Sequence, residues 1–387
     1  MKRIACFDLD AFFVEVALKH HPKLRGLPLA VCGGLTGRSV VCSASYEARR
    51  FGVRAAMPLG QARQLCPEIH LVTVPHEVGD VSNRVRERLE LICPRVEPAS
   101  IDEFFLDFTG CDRLYPRNLD LAERICGLIA TDPALPATIG FGTNKLIAKI
   151  ASDLGKPRGI LEVFPGAEKR FLASLPLKQL PGVGPKLQIT LSGMGLQQIG
   201  DILQISAESW QAALGKCGVT LYQQAQGLCD SSVIPPDGRD HRHRISRERT
   251  LVEDTSSHEV LLHILSALLE EAARDLRRCH RTCGGLGVKI RYADFTTASR
   301  SSRVVRTNDD AILYPIATSL LLHLFTKRQK VRRIGIALDA LQSGGVTDSL
   351  WQLVESPKRQ KLSHLLDRLC ERYGRRALMR ARSSTHR

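Results

Sequence analysis

The stretch Lys2-Arg3-Ile4-Ala5-Cys6-Phe7-Asp8-Leu9-Asp10 decides the fold expected for the first part of the chain. Its alternating, largely apolar pattern predicts a buried β-strand that ends in carboxylates. Further short apolar runs follow, interleaved with helical patterns but without a strict strand–helix–strand alternation. This order predicts an α+β class with a mixed sheet and helices packed against it, rather than a doubly wound parallel sheet.

A second stretch with acids at a strand end is Ser100-Ile101-Asp102-Glu103, which lies at a predicted turn between two apolar strands. Together with Asp8 it supplies three carboxylates at strand tips. Hard oxygen ligands held in this way suit two Mg²⁺ ions whose shells are completed by water and substrate phosphates. Two such ions can activate an attacking hydroxyl and stabilise a departing pyrophosphate. Each acid alone would equally suit a turn or a cap.

Charge is distributed unevenly along the 387 residues, whose formal net charge is +15. Residues 1–239 carry 27 Lys and Arg against 24 Asp and Glu, whereas residues 240–387 carry 28 against 16. A surplus of this size points to a polyanion, with nucleic acid as the first candidate. The alternative is a solubilising surplus without a partner.

The length of the chain and the changes in composition along it predict several domains, because about 150 residues form one ordinary domain. The polar, Pro-rich and charged stretch from Pro235 to Arg244 predicts a linker, and the strands and helices beyond it predict a separate α+β unit. The sequence has no run of about 18 apolar residues. We therefore expect a cytoplasmic, nucleoid-associated protein without a membrane partner.

Four separated motifs resemble those of the Y-family DNA polymerases, most closely the bacterial DNA polymerase IV branch: Phe7–Val16, Ser45–Val53, Ser100–Glu103 and Asn144–Pro157. The resemblance runs from residue 2 to about residue 342. It implies a multidomain α+β polymerase shaped like a right hand, with a mixed palm sheet, small fingers, a helical thumb and a C-terminal α+β little finger. The implied boundaries are palm 1–10 and 77–165, fingers 11–76, thumb 166–232, linker 233–243, little finger 244–343 and basic tail 344–387.

The resemblance also implies the catalytic centre. Asp8 and Asp102 match the metal-binding carboxylates, with the backbone carbonyl of Leu9 as a further ligand. Glu103 matches the catalytic acid beside the primer terminus and is counted with the metal ligands. The implied cofactor is a pair of Mg²⁺ ions, for which Mn²⁺ can substitute. Asp10 is given a structural role instead.

Contacts to the incoming nucleotide follow from the same motifs. Tyr46 and Arg49, one helical turn apart, and Lys156 match the residues that bind the triphosphate. A phenol, a guanidinium and an ammonium would together neutralise its β and γ phosphates. Phe13 matches the steric gate under the nucleotide sugar, where an aromatic ring collides with a ribose 2′-hydroxyl and so selects deoxynucleotides.

Contacts to DNA are expected from two further regions. Leu180-Pro181-Gly182-Val183-Gly184-Pro185-Lys186 is a helix-hairpin-helix signature, in which Gly182, Gly184 and Lys186 would hold a phosphate at a helix N-terminus. A plain turn between helices is the alternative. In the little finger, Arg247, Arg249, Arg300 and Arg303 suit sequence-tolerant contacts to duplex phosphates.

Three functions fit these motifs. The first is a template-directed translesion polymerase of low fidelity and without proofreading, which binds primer-template DNA and a deoxynucleoside triphosphate as a monomer. The others are a catalytically inactive accessory protein of the same fold and a general basic repair protein. The metal acids together with Phe13 favour the first. The imperfect segment around Leu350, Trp351 and Leu353 suggests a contact to the sliding clamp.

Overall fold

The chain folds as two compact units, Met1–Asp237 and Gly238–Arg387. The computed structural model describes residues 2–35, 38–236, 243–326, 329–343 and 357–374. None of the helices in these ranges is long and apolar enough to cross a membrane.

The first unit contains two sheets and a set of short helices. Its strands are β1 (Ile4–Leu9), β2 (Leu29–Cys32), β3 (Val41–Ala44), β4 (His70–Thr73), β5 (Val96–Pro98), β6 (Glu103–Asp107), β7 (Ala137–Gly142) and β8 (Ile160–Glu162). Its helices are α1 (Phe12–His20), α2 (Tyr46–Arg50), α3 (Leu59–Leu65), α4 (Val78–Glu90), α5 (Asn118–Thr131), α6 (Lys145–Gly155), α7 (Glu168–Ala173), α8 (Pro185–Gly193), α9 (Ala207–Leu214) and α10 (Lys216–Ala225). Short 3-10 helices lie at Pro22–Leu24, Leu177–Gln179 and Ile199–Gln204.

The central sheet has the order β5-β6-β1-β7-β8, with β1 antiparallel to both of its neighbours and β7 parallel to β8. Successive side chains of β1 point to opposite faces. Phe7 and Leu9 join the core formed with α4 and α5, whereas Cys6 packs with Ala148 of α6. Asp8, two residues after Cys6, therefore lies on the face covered by α6. The predicted α+β class with a mixed sheet is confirmed.

Helix α6 lies unusually close to the central sheet because Gly140 of β7 has no side chain. A Cβ atom at Gly140 would stand 2.2 Å from the carbonyl oxygen of Ala148 and 2.2 Å from the backbone nitrogen of Ser152. Real Cβ atoms do not approach backbone so closely, so only glycine fits. This contact sets the height of α6 above β1 and β7.

Two smaller assemblies flank the central sheet. Strands β3, β2 and β4 form a three-stranded sheet with α2 and α3 against it. Helices α7 to α10 surround the buried Trp210, whose indole donates to the carbonyl of Ile202 at 2.9 Å. Residues of α6, among them Ile147 and Ile150, join this core, so α6 is packed on two sides.

The structure differs from the predicted linker at 233–243 near its start. Val233 is 4% exposed and packs in a cluster with Ile4 and Ala148 of the central sheet and α6. A single buried valine in a polar stretch produces no periodic pattern, which is why the sequence did not reveal it. Residues 237–242 lie outside the described part of the chain.

The second unit is a four-stranded antiparallel sheet with helices on one face. Its elements are β9 (Arg244–Thr255), α11 (His258–Arg278), β10 (Arg281–Tyr292), β11 (Thr297–Thr307), α12 (Asp310–Leu324), β12 (Val331–Asp339), β13 (Gln342–Ser343) and α13 (Pro357–Tyr373). The sheet order is β11-β10-β12-β9, and β13 pairs with β10. Leu286, Val288 and Ile336 point into the core beneath α11 and α12. The opposite face of the sheet, which we call the open face, bears small residues and cations.

Ion pairs connect the last described helix, α13, to α11. Asp367 accepts from the Nε of Arg277 at 2.7 Å and from its Nη2 at 2.9 Å, and it lies 3.4 Å from Arg274. Arg277 itself is buried, and it also donates to the carbonyl of Asn308 at 2.9 Å. The predicted tail 344–387 thus contains a helix that packs on the second unit, while its predicted clamp residues lie outside the described ranges.

Candidate active site

Two predicted catalytic acids are direct partners in the central sheet. Asp8 of β1 stands opposite Glu103 of β6 in the antiparallel register, so both side chains point to the face covered by α6. The backbone N–H of Leu9 donates to the carbonyl of Asp102 at 2.9 Å. The structure therefore brings the two predicted motifs together where β1 ends and β6 begins.

Asp102 occupies the turn just before β6. Its backbone N–H donates to the hydroxyl oxygen of Ser100 at 3.2 Å, and this hydroxyl in turn donates to the Asp102 carboxylate. Asp102 is partly exposed, whereas Asp8 is buried. The turn thus holds one carboxylate toward solvent beside the buried one.

Lys149 of α6 is a site residue that the sequence reasoning did not single out. Its ammonium lies 2.7 Å from Glu103 and 3.1 Å from Asp8. Burial alone would lower the pKa of Lys149, but the hydrogen bond to Glu103 and the nearby carboxylates hold that pKa above the ordinary lysine value. The sequence offered one indication that Lys149 is paired, because it stands four residues before Asp153. The two side chains are in contact at 3.1 Å.

Lys156 caps the C-terminus of α6 and reaches the same acids. Its ammonium lies 2.7 Å from Asp8 and 3.6 Å from Asp153. The close contact of α6 with Gly140 holds both lysines beside Asp8. Triphosphate binding by Lys156 stays a prediction, and the structure shows its ammonium paired with Asp8.

Tyr46 and Arg49 lie on the short helix α2, which Ser45 caps by accepting from the N–H of Ala48 at 3.2 Å. The guanidinium of Arg49 stacks over the Tyr46 ring at 4.7 Å, and its Nε donates to the carbonyl of Ala44 at 3.0 Å. Burial, followed by the charge of Asp10, raises the pKa of Tyr46 to about 12. The hydroxyl therefore keeps its proton at neutral pH.

A cavity of about 410 Å³ joins these groups. It is lined on one side by Asp8, Asp102 and Lys156 and on the other by residues of β3, α2 and the turn after it, among them Cys42, Ser43, Tyr46, Arg49, Arg54 and Ala55. Arg54 is exposed and was not singled out from the sequence. Its position suggests a further cation for a bound nucleotide.

The predicted gate residue lies beside this cavity rather than among its lining residues. Phe12 lines the cavity, while Phe13 is half-buried between the central core and the core under β2. The two rings are neighbours, with centroids 5.6 Å apart. Sugar discrimination by Phe13 remains a prediction.

The donor set fits a hard divalent cation that is bound together with substrate. Asp8, Asp102 and Glu103 offer carboxylate oxygens where β1 ends and β6 begins. Mg²⁺ prefers oxygen ligands of this kind. Within the described ranges, no three acidic, histidine or cysteine side chains already converge as a complete metal site. Phosphate and water oxygens would therefore have to complete the coordination, which is usual for Mg²⁺ at nucleotide sites.

Comparisons with known proteins agree along the chain. A family model described as impB/mucB/samB family matches residues 7–153, and the C-terminal domain of that family matches residues 242–353. A model described as DNA polymerase-iota, thumb domain, matches residues 178–229. DNA polymerase IV of Desulfatibacillum aliphaticivorans is 36% identical over 375 residues, which cover 95% of this chain and 93% of the relative. DNA polymerase IV of Methanoculleus marisnigri is 36% identical over 343 residues, or 87% and 94% of the two chains.

Solved structures give the same result. A Y-family DNA polymerase chimera matches with a TM-score of 0.79 at 29% identity, covering 88% of this chain and all of the other. The chain belongs to the Y family of DNA polymerases. It is a DNA-directed DNA polymerase of the translesion type, and the resemblance inferred from the four motifs is confirmed. An insertion ternary complex of Dbh DNA polymerase matches with a TM-score of 0.62 at 29% identity and 88% coverage of this chain. Polymerases of this family use divalent metal ions.

Three residues of the predicted helix-hairpin-helix segment, Gly182, Gly184 and Lys186, are exposed in this Y-family polymerase. Gly182 adopts φ +93°, a conformation that favours glycine, and Gly184 precedes the first turn of α8. A side chain at either glycine would meet no atom within 4 Å. Gly182, Gly184 and Lys186 thus form an accessible surface at the start of α8.

The four predicted arginines of the second unit divide between its two sheet faces. Arg247 and Arg249 stand opposite the core residues Ile336 and Ile334, and so lie on the face of α11. There Arg247 pairs with Asp275 and Arg249 with Glu271 at 3.3 Å.

The other two arginines lie on the edge strand β11. Arg303 stands opposite Gly285 on the open face. Arg300 stands opposite the buried Val288 and therefore points to the helix side, although it is exposed at the edge of the sheet. Cations of the open face also include Lys289 and Arg333, which share Glu248 at 3.3 and 3.0 Å.

Proposed function

We propose that this polymerase adds deoxynucleotides to a primer 3′ end by two-metal nucleotidyl transfer, with Asp8, Asp102 and Glu103 as its catalytic acids. The observation that carries the proposal is the pairing of Asp8 with Glu103 in the sheet. Asp8 also lines one cavity together with Asp102, Tyr46, Arg49 and Lys156. Two Mg²⁺ ions, or Mn²⁺ as a substitute, would activate the attacking hydroxyl and stabilise the leaving pyrophosphate when bound.

The chain's own residues would bind and orient the triphosphate. Tyr46 keeps its proton at neutral pH and donates it to Asp10, which holds the Tyr46 ring in place at the cavity. Arg49 is stacked on Tyr46, which reduces the side-chain freedom that it would lose on binding. Lys156 would neutralise charge from the opposite side, since its ammonium already lies at the acid cluster.

The metal ligands would be Asp8, Asp102, Glu103 and the backbone carbonyl of Leu9, held by the β1–β6 ladder. Before ions bind, Lys149 compensates the charge of Asp8 and Glu103. Glu103 would lie beside the primer terminus. The half-buried Phe13 would exclude a ribose 2′-hydroxyl.

The hand-like organisation is proposed with the boundaries given above, except that Val233 packs on the palm. The fingers would then carry Tyr46 and Arg49, and the thumb would present Gly182, Gly184 and Lys186 to the DNA backbone. Exposed backbone N–H groups at a helix N-terminus favour phosphate without reading sequence.

The second unit would hold the duplex as the little finger. Among its predicted contacts, the open-face Arg303 and the edge residue Arg300 are accessible, while Arg247 and Arg249 would first have to leave their acidic partners. The related insertion ternary complex supports binding of primer-template DNA and a deoxynucleoside triphosphate.

A sliding-clamp contact through Leu350, Trp351 and Leu353, a monomeric state and association with the nucleoid complete the proposal. These three residues lie outside the described ranges. Replacing all three with alanine should abolish clamp binding in a surface-binding assay while leaving unassisted primer extension intact. Undiminished clamp binding would remove this segment from the proposal.

Primer extension tests the central proposal. The wild-type chain with a primed template, deoxynucleoside triphosphates and Mg²⁺ should extend the primer, and Asp102→Ala should abolish extension while retaining DNA binding. Loss of one metal ligand removes part of the transition-state stabilisation and should reduce the rate by at least about a hundredfold. A wild-type protein that binds DNA without extending it would support the inactive accessory role instead.

A further inference from the structure

Asp10 follows β1 directly and is one of the most enclosed carboxylates of the first unit, at 2% exposure. Three donors from three segments converge on it. The hydroxyl of Tyr46 donates at 3.2 Å, the hydroxyl of Thr138 lies 3.0 and 3.1 Å from its two oxygens, and the backbone N–H of Arg158 donates at 2.8 Å.

Tyr46 lines the cavity of about 410 Å³ described above, which we call the nucleotide cavity, whereas Arg158 is tied to its other wall through the nearby lining residue Lys156. Tyr46 is on α2, whose Arg49 stacks on it. Arg158 comes two residues after Lys156, on the segment that leaves α6. The third donor, Thr138 of β7, fixes the carboxylate to the central sheet. One buried anion therefore connects both walls to the same rigid strand.

The hydrogen-bond inventory of Asp10 argues against a metal-binding role. One oxygen accepts from Tyr46 and Thr138, and the other accepts from Thr138 and Arg158. A buried carboxylate with both oxygens occupied gains little from a cation and loses much if a donor leaves. Its chemistry is that of a fixed acceptor.

We propose that Asp10 is a positioning residue for triphosphate binding, which sets the distance between Tyr46 and the Lys156 segment across the nucleotide cavity. The inference rests on the proposed function, because it assigns to Asp10 the alignment of two groups that bind the nucleotide. Asp10 acts through these groups and does not touch the reacting atoms.

The Asp10→Asn variant separates positioning from simple stability. Its amide has only one acceptor oxygen, so it cannot accept from both Tyr46 and the backbone N–H of Arg158, and one of these two connections is lost. The KM for the deoxynucleoside triphosphate should rise about tenfold, the effect of losing one charge-assisted hydrogen bond. The kcat and the Kd for primer-template DNA should change less than about threefold, because the catalytic acids and DNA surfaces are untouched.

A double-mutant cycle with Tyr46→Phe provides the decisive readout. Tyr46→Phe removes the hydroxyl, so adding Asp10→Asn in that background should raise KM by less than about threefold. A purely structural role would lower the melting temperature and leave the two KM effects multiplicative. That result, or an unchanged KM in Asp10→Asn, would overturn the proposal.

Thr138→Val keeps the test decisive if Asp10→Asn does not fold. Losing the Thr138 donor should loosen the carboxylate and raise KM about threefold, with no further rise in the Tyr46→Phe background. An unchanged KM in Thr138→Val would then count against Asp10. Failure of the proposed function has a different outcome, since the wild-type chain itself would then extend no primer.

Discussion

Asp8 and Glu103 face each other across the β1–β6 ladder, and the ammonium of Lys149 lies 3.1 Å from one carboxylate and 2.7 Å from the other. Two carboxylates at such positions repel each other unless a cation lies between them. In the protein without metal ions, Lys149 supplies that charge. Lys149 therefore holds the two acids in register before any substrate arrives.

Lys149→Met should destabilise the protein without metal ions, since it leaves two acids without their shared cation. A partly buried ion pair lost in this way costs about 1–3 kcal/mol. Thermal unfolding in the presence of a chelator measures the effect, with the exposed Lys216→Met as the matched control. The pKa of Lys149 is raised in the folded protein. Its contribution to stability is therefore fully present below the ordinary lysine pKa and is lost as the pH rises through the elevated pKa. Equal melting temperatures for the two variants would exclude this role.

Gly140→Ala should push α6 away from the central sheet. Its Cβ would meet the backbone of Ala148 and Ser152, which cannot yield without moving the helix. We expect a loss of about 3 kcal/mol or more in the free energy of unfolding, and weaker primer extension because Lys149 and Lys156 move with the helix. Denaturant unfolding checks it. Gly127→Ala in α5, where a Cβ meets nothing within 4 Å, should be neutral or stabilising by about 1 kcal/mol.

Phe13→Ala should raise the insertion of ribonucleotides, because the ring that excludes the 2′-hydroxyl is removed. A steric barrier of about 3 kcal/mol corresponds to a hundredfold or greater change in sugar selectivity. Single-nucleotide insertion with matched ribo- and deoxyribonucleotides measures the ratio. Phe13→Tyr, which retains the ring, serves as the control. If selectivity is unchanged in Phe13→Ala, the gate must be sought in the neighbouring Phe12.

Arg303→Ala and Arg247→Ala should differ in their effects on DNA binding. Among the described residues Arg303 has no ion-pair partner, so its loss should weaken affinity on all sequences and reduce the salt slope by about one. Arg247 is paired with Asp275 on the helix side, so its loss should affect unfolding more than DNA affinity. Fluorescence anisotropy titrations at several salt concentrations distinguish the two. The reverse ranking would place the DNA on the helix side of the sheet.

The sequence placed Asp8 and Glu103 correctly at strand ends, because strand tips are local features. The alternation around Asp8 and the turn before Glu103 each require only a few residues, and pairing of the two strands follows once a mixed sheet is assumed. The short helix carrying Tyr46 and Arg49 was likewise visible from its spacing and from the Gly52 that follows it.

Contacts between distant segments were not predictable in the same way. Lys149 on an amphipathic helix is indistinguishable from a solvated lysine until α6 is placed on β1. Two of the three donors to Asp10, Thr138 and Arg158, lie more than a hundred residues away in the chain. Similarly, only the sheet register reveals that Arg247 faces a helix with acidic residues.

The attachment of α13 to α11 changes what a shortened chain would report. Arg277 is 9% exposed and depends on Asp367 for two hydrogen bonds. Ending the chain at Ser343 would remove Asp367 and with it the acceptor of two charge-assisted hydrogen bonds from Arg277. Such a deletion would therefore weaken the second unit itself, and any loss of recruitment that it caused could reflect damaged folding. Substitutions within the tail separate recruitment from folding, whereas removal of the tail confounds the two.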